Sequence, residues 1–433
     1  VALEDKAKAI NNLLQKESIV ALVGMGGIGK TTLSKKVYHL FHDQYEKSSF
    51  LKDVKSKHIK DVQKKLLQDL CGRKLHEDED VHKYLDEIKQ CMITKKVLVV
   101  VDDVDMNNNL ETLQFPVNTH TINVDYCKSK VLVNCRNWQI LKNHVRESAK
   151  VNMTFLEEEQ ARELFMFHAF KHANHMTNDF KNISMKIIKA CGGLPLSLEI
   201  LGCYLCDIYD LEIWKDVLRE LKGGRNITGG SDNERLWKTL RISYDHLFKK
   251  EKNMFLDIAC FFTDFKKKTF CRVYWNANDS SSPMLILQNL KHRSLIKWAE
   301  DDSLYMHEQL RDMECLSLQE LPTSIGQLSA LQNLHLWGCS RLQELPTSIG
   351  QLNALQNLDL KHCSSLQKLP TSIGQLSALQ KLHLKHCSRL QELPTSIGQL
   401  SALQNLHLWG CSSLQELPTS IGQLSALQNL DLN

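Results

Sequence analysis

The first third of the chain alternates short apolar runs with stretches of helical period. The apolar runs predict strands and lie at 19–23, 50–54, 97–101 and 131–133. Behind the first run, apolar residues recur at helical spacing at Leu33, Val37, Leu40 and Phe41. Because strands that alternate with helices pair in parallel, residues 1–150 are predicted to form a parallel sheet with helices on both faces.

The pattern changes twice before it becomes periodic. Residues 151–247 are helical in pattern almost throughout, and residues 248–314 mix helices with a strand signal at 295–298. From residue 315 to 433 a 24-residue unit recurs with the pattern LxxLPxxIGxLxxLxxLxLxxC, opened by Leu318, Leu342, Leu366, Leu390 and Leu414. This length and pattern predict a leucine-rich-repeat solenoid.

The repeats present two sets of residues with different predicted surroundings. Cys339, Cys363, Cys387 and Cys411 occupy a position that the repeat pattern gives to Asn or Cys, so a buried ladder of thiols is predicted rather than a metal site. The concave face, where a partner protein is expected, is predicted to carry Asn333, His335, Trp337, Asn357, Asp359, Lys361, Lys381, His383, Lys385, Asn405, His407 and Trp409.

Composition narrows the class of protein. The 433 residues are 42% hydrophobic and 24% charged, which predicts folded domains rather than disorder. The formal charge of +4 gives no footprint for nucleic acid, and no segment approaches the roughly 20 apolar residues that span a bilayer. The 14 cysteines are spread through a long chain, so reduced thiols and a cytoplasmic location are expected.

A glycine-rich segment between the first strand and the first helix carries the strongest chemical signal. Residues 24–31 match GxxxxGK[ST] in the strand-loop-helix context that the phosphate-binding loop requires. Lys30 is predicted to reach the β- and γ-phosphates and to act in catalysis, and the Thr31 hydroxyl to bind Mg²⁺. The predicted nucleotide contacts of this segment are Gly24, Gly26, Gly27, Ile28, Gly29, Lys30, Thr31 and Thr32.

Acidic and basic residues follow the later strands. Asp102 and Asp103 end the run at 97–101, so Asp102 is predicted to hold Mg²⁺, directly or through water, and Asp103 to orient or deprotonate an attacking water. Arg136 follows the next run. From its chemistry alone it is either a contact to the γ-phosphate or a surface arginine.

Four segments in this order resemble one family. They are GMGGIGKTT at 24–32, VVVDDV at 99–104, CGGLPL at 191–196, and Met306-His307-Glu308. The chain is similar to NB-ARC proteins and, with its repeats, to plant NLR disease-resistance proteins. Asp105 and the segment FLDIACFF at 255–262 resemble the TIR subclass, whose TIR domain is expected to be missing from this chain.

The resemblance implies a fold and a set of roles. It implies a P-loop NTPase domain at 1–150, a helical domain at 151–247, a winged-helix domain at 248–314 and repeats at 315–433. Pro195 is implied to pack near the adenine and ribose, Arg136 to sense the γ-phosphate, and His307 to contact the β-phosphate of ADP. Glu308 stands where the family usually has Asp, and its longer side chain is expected to weaken ADP retention.

The implied function is an innate-immune receptor that switches between ADP and ATP. A pathogen effector or a host guard protein is implied as the ligand of the concave face, and a homo-oligomer as the ATP-bound form, in the cytoplasm and also the nucleus. Slow ATP hydrolysis fits such a switch. Two alternatives stay open at this point: a constitutive P-loop ATPase with Asp103 as its base, and a binding scaffold with a vestigial nucleotide site.

Overall fold

The computed structural model describes residues 3–56, 59–74, 84–104, 129–171, 177–223, 232–259, 283–298, 302–307, 309–311, 318–321 and 323–432. The chain divides into two compact units, Val1–Leu236 and Trp237–Asn433. The first holds a parallel sheet and several helices, and the second holds a small mixed region and the repeats. The finer domain bounds at residues 150, 247 and 314 stay predictions.

The first unit is built on a parallel sheet. Its described strands are β1 (Ile19–Val23), β2 (Lys47–Leu51), β3 (Val97–Val104), β4 (Lys130–Cys135) and β5 (Lys150–Asn152). They lie in the order β2-β3-β4-β1-β5, and each neighbouring pair is parallel. This confirms the predicted sheet and places β1 between β4 and β5.

Two strands differ from the sequence pattern. Strand β2 begins at Lys47, three residues before the predicted run at 50–54. The sequence pattern missed this start because the buried positions of the strand are not all apolar. Ser49 is buried, and its hydroxyl donates to Asp69 Oδ2 at 2.7 Å. Strand β5 was not predicted, since Val151 is the single apolar residue among its three.

Helices cover both faces of the sheet. Helices α1 (Leu3–Lys16) and α2 (Lys30–Phe41) pack on one face, against a cluster that includes Leu98 and Val100 of β3. Helices α3 (Ile59–Cys71) and α4 (Leu85–Thr94) pack on the other, against Val99 and its alternating neighbours. Alternate residues of β3 are therefore buried on opposite faces, as expected for a strand in the middle of a parallel sheet.

The helical region that follows lies mainly in the same unit. Its helices are α5 (Glu158–Ala169), α6 (Asn178–Cys191), α7 (Pro195–Leu205), α8 (Leu211–Lys222) and α9 (Asp232–Asp245). Helix α6 ends before Gly192-Gly193, and Pro195 opens α7 at a position that needs no backbone donor. Among the described helices, none has both the length and the apolar character needed to cross a membrane.

The second unit begins with a small mixed region. Helices α10 (Lys249–Asp257) and α11 (Pro283–His292) contact each other, with Phe255 and Leu290 fully buried. They are followed by an antiparallel pair, β6 (Lys297–Trp298) and β7 (Leu304–Tyr305). The strand signal at 295–298 is therefore confirmed.

The repeats form a second parallel sheet. Strands β8 (Asn333–His335), β9 (Asn357–Asp359), β10 (Lys381–His383), β11 (Asn405–His407) and β12 (Asn429–Asp431) pair in chain order. Each residue pairs with its equivalent 24 residues later, so Leu334 lies beside Leu358 and Leu358 beside Leu382. Short 3-10 helices such as Thr347–Gln351 complete each turn. The leucines point inward, which confirms the predicted solenoid.

The thiols of the repeats form a ladder. The Cys363 Sγ–H donates to the backbone oxygen of Leu336 at 3.1 Å, and the same bond recurs one repeat later from Cys387 to Leu360. Both thiols are free and fully buried. They serve as small apolar side chains that also satisfy a carbonyl of the preceding turn, as predicted.

Candidate functional site

The glycine-rich loop joins β1 to α2 in the first unit. Gly27 and Gly29 have φ angles of 79° and 97°, a region that residues with a Cβ adopt only with strain. Gly29 caps α2 without a side-chain hydrogen bond, so the first amides of this helix face the loop. Within the loop Gly26 and Ile28 are buried. This geometry suits a phosphate group at the helix N-terminus.

Lys30 lies in the concavity of the loop. Its Nζ donates to Gly24 O at 2.7 Å and to Met25 O at 3.0 Å, and the residue is only 7% exposed. Burial lowers the pKa of this ammonium, and the nearby Asp103 carboxylate opposes that shift. The cation is therefore held at the loop by carbonyl oxygens that phosphate oxygens could replace.

Thr31 and Asp102 are in direct contact. The Thr31 hydroxyl donates to Asp102 Oδ1 at 2.8 Å, while Thr32 lies exposed at the next position of α2. Burial raises the pKa of Asp102, and hydrogen bonds from Asn134 and Thr31 oppose the rise. Because the Thr31 O–H donates to Asp102, the hydroxyl oxygen keeps its lone pairs for a cation. This all-oxygen donor set fits Mg²⁺.

Asp102 and Asp103 occupy a β-bulge. Val101 pairs with Val133 and Val104 with Cys135, so β3 carries one residue more than β4 between these pairs. Asp103 has a φ of 58°, which is left-handed backbone. The bulge lets two consecutive acids face the loop: the electrostatic surroundings of Lys30 include both carboxylates.

Arg136 contacts Asp103 rather than standing alone on the surface. Its Nη2 donates to Asp103 Oδ2 at 3.5 Å, and the two side chains are 30% and 15% exposed. The structure thus brings Arg136 to the same edge of the sheet as the predicted base. A phosphate group at the loop would compete with Asp103 for this cation.

Pro195 is brought to the loop through its neighbour. The Leu196 N–H donates to Gly27 O at 3.3 Å, and a Cβ added to Gly27 would lie 2.9 Å from Leu196 Cβ. The start of α7 therefore packs against the phosphate loop itself. The turn at 191–195 joins the helical region to the sheet at this point.

His307 lies in the second unit, two residues after the end of β7. Its Nδ1 accepts a hydrogen bond from the Gln309 N–H at 3.2 Å, which leaves the ring proton of the neutral imidazole on Nε2. The ring is half-buried. Asp105 and Glu308, which carry two of the sequence expectations, lie outside the described residues.

One buried amide at this site was not assigned any role by the sequence. Asn134 of β4 is fully buried, donates from Nδ2 to Asp102 Oδ1 at 2.6 Å, and accepts at Oδ1 from the Ser34 hydroxyl at 2.8 Å. The signal that could have revealed it is its position, a polar residue ending an apolar strand.

An aromatic row marks the repeat unit. The ring centroids of Trp337 and His362 lie 6.0 Å apart, those of His362 and His386 stack at 4.5 Å, and those of His386 and Trp409 lie 4.4 Å apart. Trp409 is 44% exposed. Both tryptophans were predicted to face a partner, whereas the two histidines were missed because they occupy turn positions. Exposed tryptophans are frequent anchors in protein interfaces.

The matches to known families fall in three regions of the chain. Residues 3–175 match the NB-ARC domain, residues 248–316 the winged-helix domain of Roq1-like disease resistance proteins, and residues 303–389 a leucine-rich repeat region. The chain is a plant NB-ARC leucine-rich-repeat protein. The NB-ARC match makes the first unit a nucleotide-binding unit, and the winged-helix prediction is confirmed.

Among curated proteins, this NB-ARC chain is similar to disease resistance protein RUN1 of Vitis rotundifolia, with 30% identity over 68% of the chain and 21% of RUN1. It is also 26% identical to TMV resistance protein N of Nicotiana glutinosa, over 68% of the chain and 25% of that protein. The chain thus spans about a quarter of the length of these relatives.

A solved structure, a STAND protein with a tetratricopeptide repeat sensor from Pyrococcus horikoshii, aligns over 75% of the chain and 46% of its own. Its TM-score is 0.46 and its sequence identity is 16%.

Proposed function

We propose that the chain is the nucleotide switch and the sensor of a plant immune receptor. The observation that carries this proposal is the contact between Thr31 and Asp102, 2.8 Å apart at the mouth of a glycine-rich loop. In a phosphate loop the Thr hydroxyl binds Mg²⁺, and an acidic side chain at hydrogen-bond distance from that hydroxyl can bind the same cation. The similarity to disease resistance proteins supplies the biological setting.

In the proposed site each residue has one task. The loop amides and Lys30 hold the β- and γ-phosphates, with Lys30 exchanging the carbonyls of Gly24 and Met25 for phosphate oxygens. Thr31 and Asp102 hold Mg²⁺, the first through its hydroxyl oxygen and the second directly or through water. The bound cation neutralises charge on the phosphates.

The phosphate count is read by residues around that core. Arg136, which pairs with Asp103 at 3.5 Å, contacts the γ-phosphate when ATP is bound. Pro195 packs near the adenine and ribose, which its position beside the loop supports. His307 donates its Nε2–H to the β-phosphate of ADP. Because some of these contacts exist only with ADP and others only with ATP, the bound nucleotide sets the state of the receptor.

A constitutive ATPase is the competing function. It requires Asp103 as an available base, and Asp103 is paired with Arg136. This pairing favours a switch in which hydrolysis is slow. The intact Lys30, Thr31 and Asp102 likewise argue against a scaffold with a vestigial nucleotide site.

The repeats complete the proposal as its sensor. A pathogen effector or a host guard protein binds the concave face, with the exposed Trp337 and Trp409 as its anchors. Recognition loosens the ADP-bound form, and ATP then favours a homo-oligomer. The receptor acts in the cytoplasm and also in the nucleus.

The nucleotide that copurifies with the full chain tests this proposal. We expect ADP, identified by chromatography of the denatured protein. Lys30→Ala removes charge-assisted hydrogen bonds of about 1.5–3 kcal/mol to phosphate, so ADP should bind roughly 10- to 150-fold more weakly. Lys35→Ala, on the exposed side of the same helix, is the control and should bind normally. A chain without nucleotide, or a Lys30→Ala variant that retains it, would contradict the proposal.

A further inference from the structure

The buried amide of Asn134 links two elements that the proposed magnesium site must hold together. Thr31 and Ser34 both lie on α2, three residues apart and hence on one face of the helix. Asp102 lies on β3, and Asn134 lies on the neighbouring strand β4. The Asn134 side chain is hydrogen-bonded to Asp102 and Ser34, neither of which is assigned to phosphate.

The orientation of this amide is fixed by its acidic partner. A carboxylate can only accept, so the NH₂ group of Asn134 must face Asp102, at 2.6 Å from Oδ1. The carbonyl side then accepts from Ser34, which is also fully buried. Asp102 therefore selects the orientation of the amide, and the Ser34 hydroxyl supports it by donating to the carbonyl oxygen.

The result is two routes from α2 to the same carboxylate oxygen. One runs directly from Thr31 to Asp102 Oδ1, and the other runs from Ser34 through Asn134 to that same atom. Because two hydrogen bonds meet at Oδ1, they fix both the distance of the Asp102 carboxylate from α2 and its rotation. Oδ2 is then presented in one direction only, which a cation with strict octahedral geometry needs.

We propose that Asn134 is a positioning residue for magnesium: its amide locks Asp102 relative to Thr31, so that both oxygens meet Mg²⁺ in a fixed geometry. This inference rests on the proposed function, since it concerns the same cation site. Asn134 acts through Asp102 and does not contact the nucleotide. Loss of such an outer hydrogen bond typically costs 10- to 100-fold in metal affinity.

The test separates the affinity for magnesium from the affinity for nucleotide. The full chain, stripped of nucleotide, is titrated with N-methylanthraniloyl-ADP in EDTA and then with Mg²⁺ at fixed ADP analogue. For Asn134→Leu we expect the half-saturating Mg²⁺ concentration to rise about 10-fold or more. Affinity for the analogue in EDTA should stay within about 2-fold of the wild type, because the phosphate contacts are intact.

Two matched controls distinguish positioning from general packing. Gln63→Leu removes another buried amide, on α3 at the opposite face of the sheet, and should leave the Mg²⁺ midpoint unchanged. Ser34→Ala removes only the hydrogen bond to the carbonyl oxygen of Asn134 and should raise the midpoint less than Asn134→Leu does. This variant also keeps the inference testable if Asn134→Leu fails to fold. Its matched control is Ser129→Ala, which changes another buried serine, immediately before β4.

The outcomes point in different directions. An unchanged midpoint in both site variants, or the same rise in Gln63→Leu, would show that Asn134 is only a packing residue and overturn this inference. Wild-type protein that binds the analogue equally with and without Mg²⁺ would overturn the magnesium part of the proposed function, and this inference with it. The wild-type titration therefore tells the two failures apart.

Discussion

Replacing Asp103 with Asn is expected to shift the preference of the site from ADP toward ATP. The Asp103 carboxylate holds Arg136 at 3.5 Å, so a γ-phosphate must draw the cation away from it. Asn has the same shape as Asp and tolerates the left-handed φ of 58°. The change therefore removes one charge without a new cost in the backbone.

The structure gives the size of the effect. Two unit charges 3.5 Å apart attract by about 5 kcal/mol at an effective dielectric constant of 20. Partial exposure and side-chain entropy reduce a pair of this kind to about 1 kcal/mol. Releasing Arg136 from the pair should thus tighten ATP binding about 5-fold. ADP has no γ-phosphate to recruit Arg136, so its affinity should change little.

Calorimetric titration of the nucleotide-free chain measures both affinities. A β,γ-imido analogue of ATP avoids hydrolysis, which the same substitution is expected to slow. Glu17→Gln is the matched control, because it removes the acid from another pair of this unit, 3.6 Å from Arg146. A ratio of ATP to ADP affinity that stays constant in Asp103→Asn, or changes equally in Glu17→Gln, would refute the reasoning.

Two further predictions concern stability. Gly27→Ala and Gly29→Ala both place a Cβ on left-handed backbone, at about 1 kcal/mol each, but only Gly27 meets a neighbour, Leu196 Cβ at 2.9 Å. Overpacking adds about 1–3 kcal/mol, so thermal melts should show the lower midpoint for Gly27→Ala, and equal midpoints would contradict this. In the repeats, burial, reinforced by Lys361, lowers the pKa of His383 to about 3. The unfolded chain binds this proton below about pH 6.5 and the folded chain does not, so stability is full above that pH and falls as the pH drops toward 3. His383→Gln should make the urea midpoint depend less on pH between pH 7 and 5. An unchanged pH dependence would show that other groups are responsible for it.

The phosphate loop could be predicted from sequence because its determinants are local. Gly27 and Gly29 sit where the backbone turns left-handed, and Lys30 opens the helix that follows, so one short segment contains both the geometry and the charge. The repeats were predictable for a similar reason, since each unit restates its own pattern. Asp102 needed only the additional knowledge that parallel strands end at one edge.

The rest of the site depends on contacts that sequence spacing does not reveal. Ser34 and Asn134 are 100 residues apart and meet only once the order of the strands is known. The bulge at Asp103 and the ion pair between Arg136 and Asp103 likewise depend on how β3 and β4 pair. A strand pattern predicts that neighbouring residues face opposite sides, so two adjacent acids at one site contradict the pattern until the extra residue is seen.

The 24-residue register of the repeat sheet separates what holds the solenoid together from what it presents. Leu334, Leu358 and Leu382 are identical and lie side by side in the core, whereas Trp337 and Lys361 differ at equivalent positions outside it. A change in the second set leaves every leucine contact intact. Whole units can also be exchanged or duplicated without a new core. The surface offered to a partner can therefore vary while the scaffold stays constant.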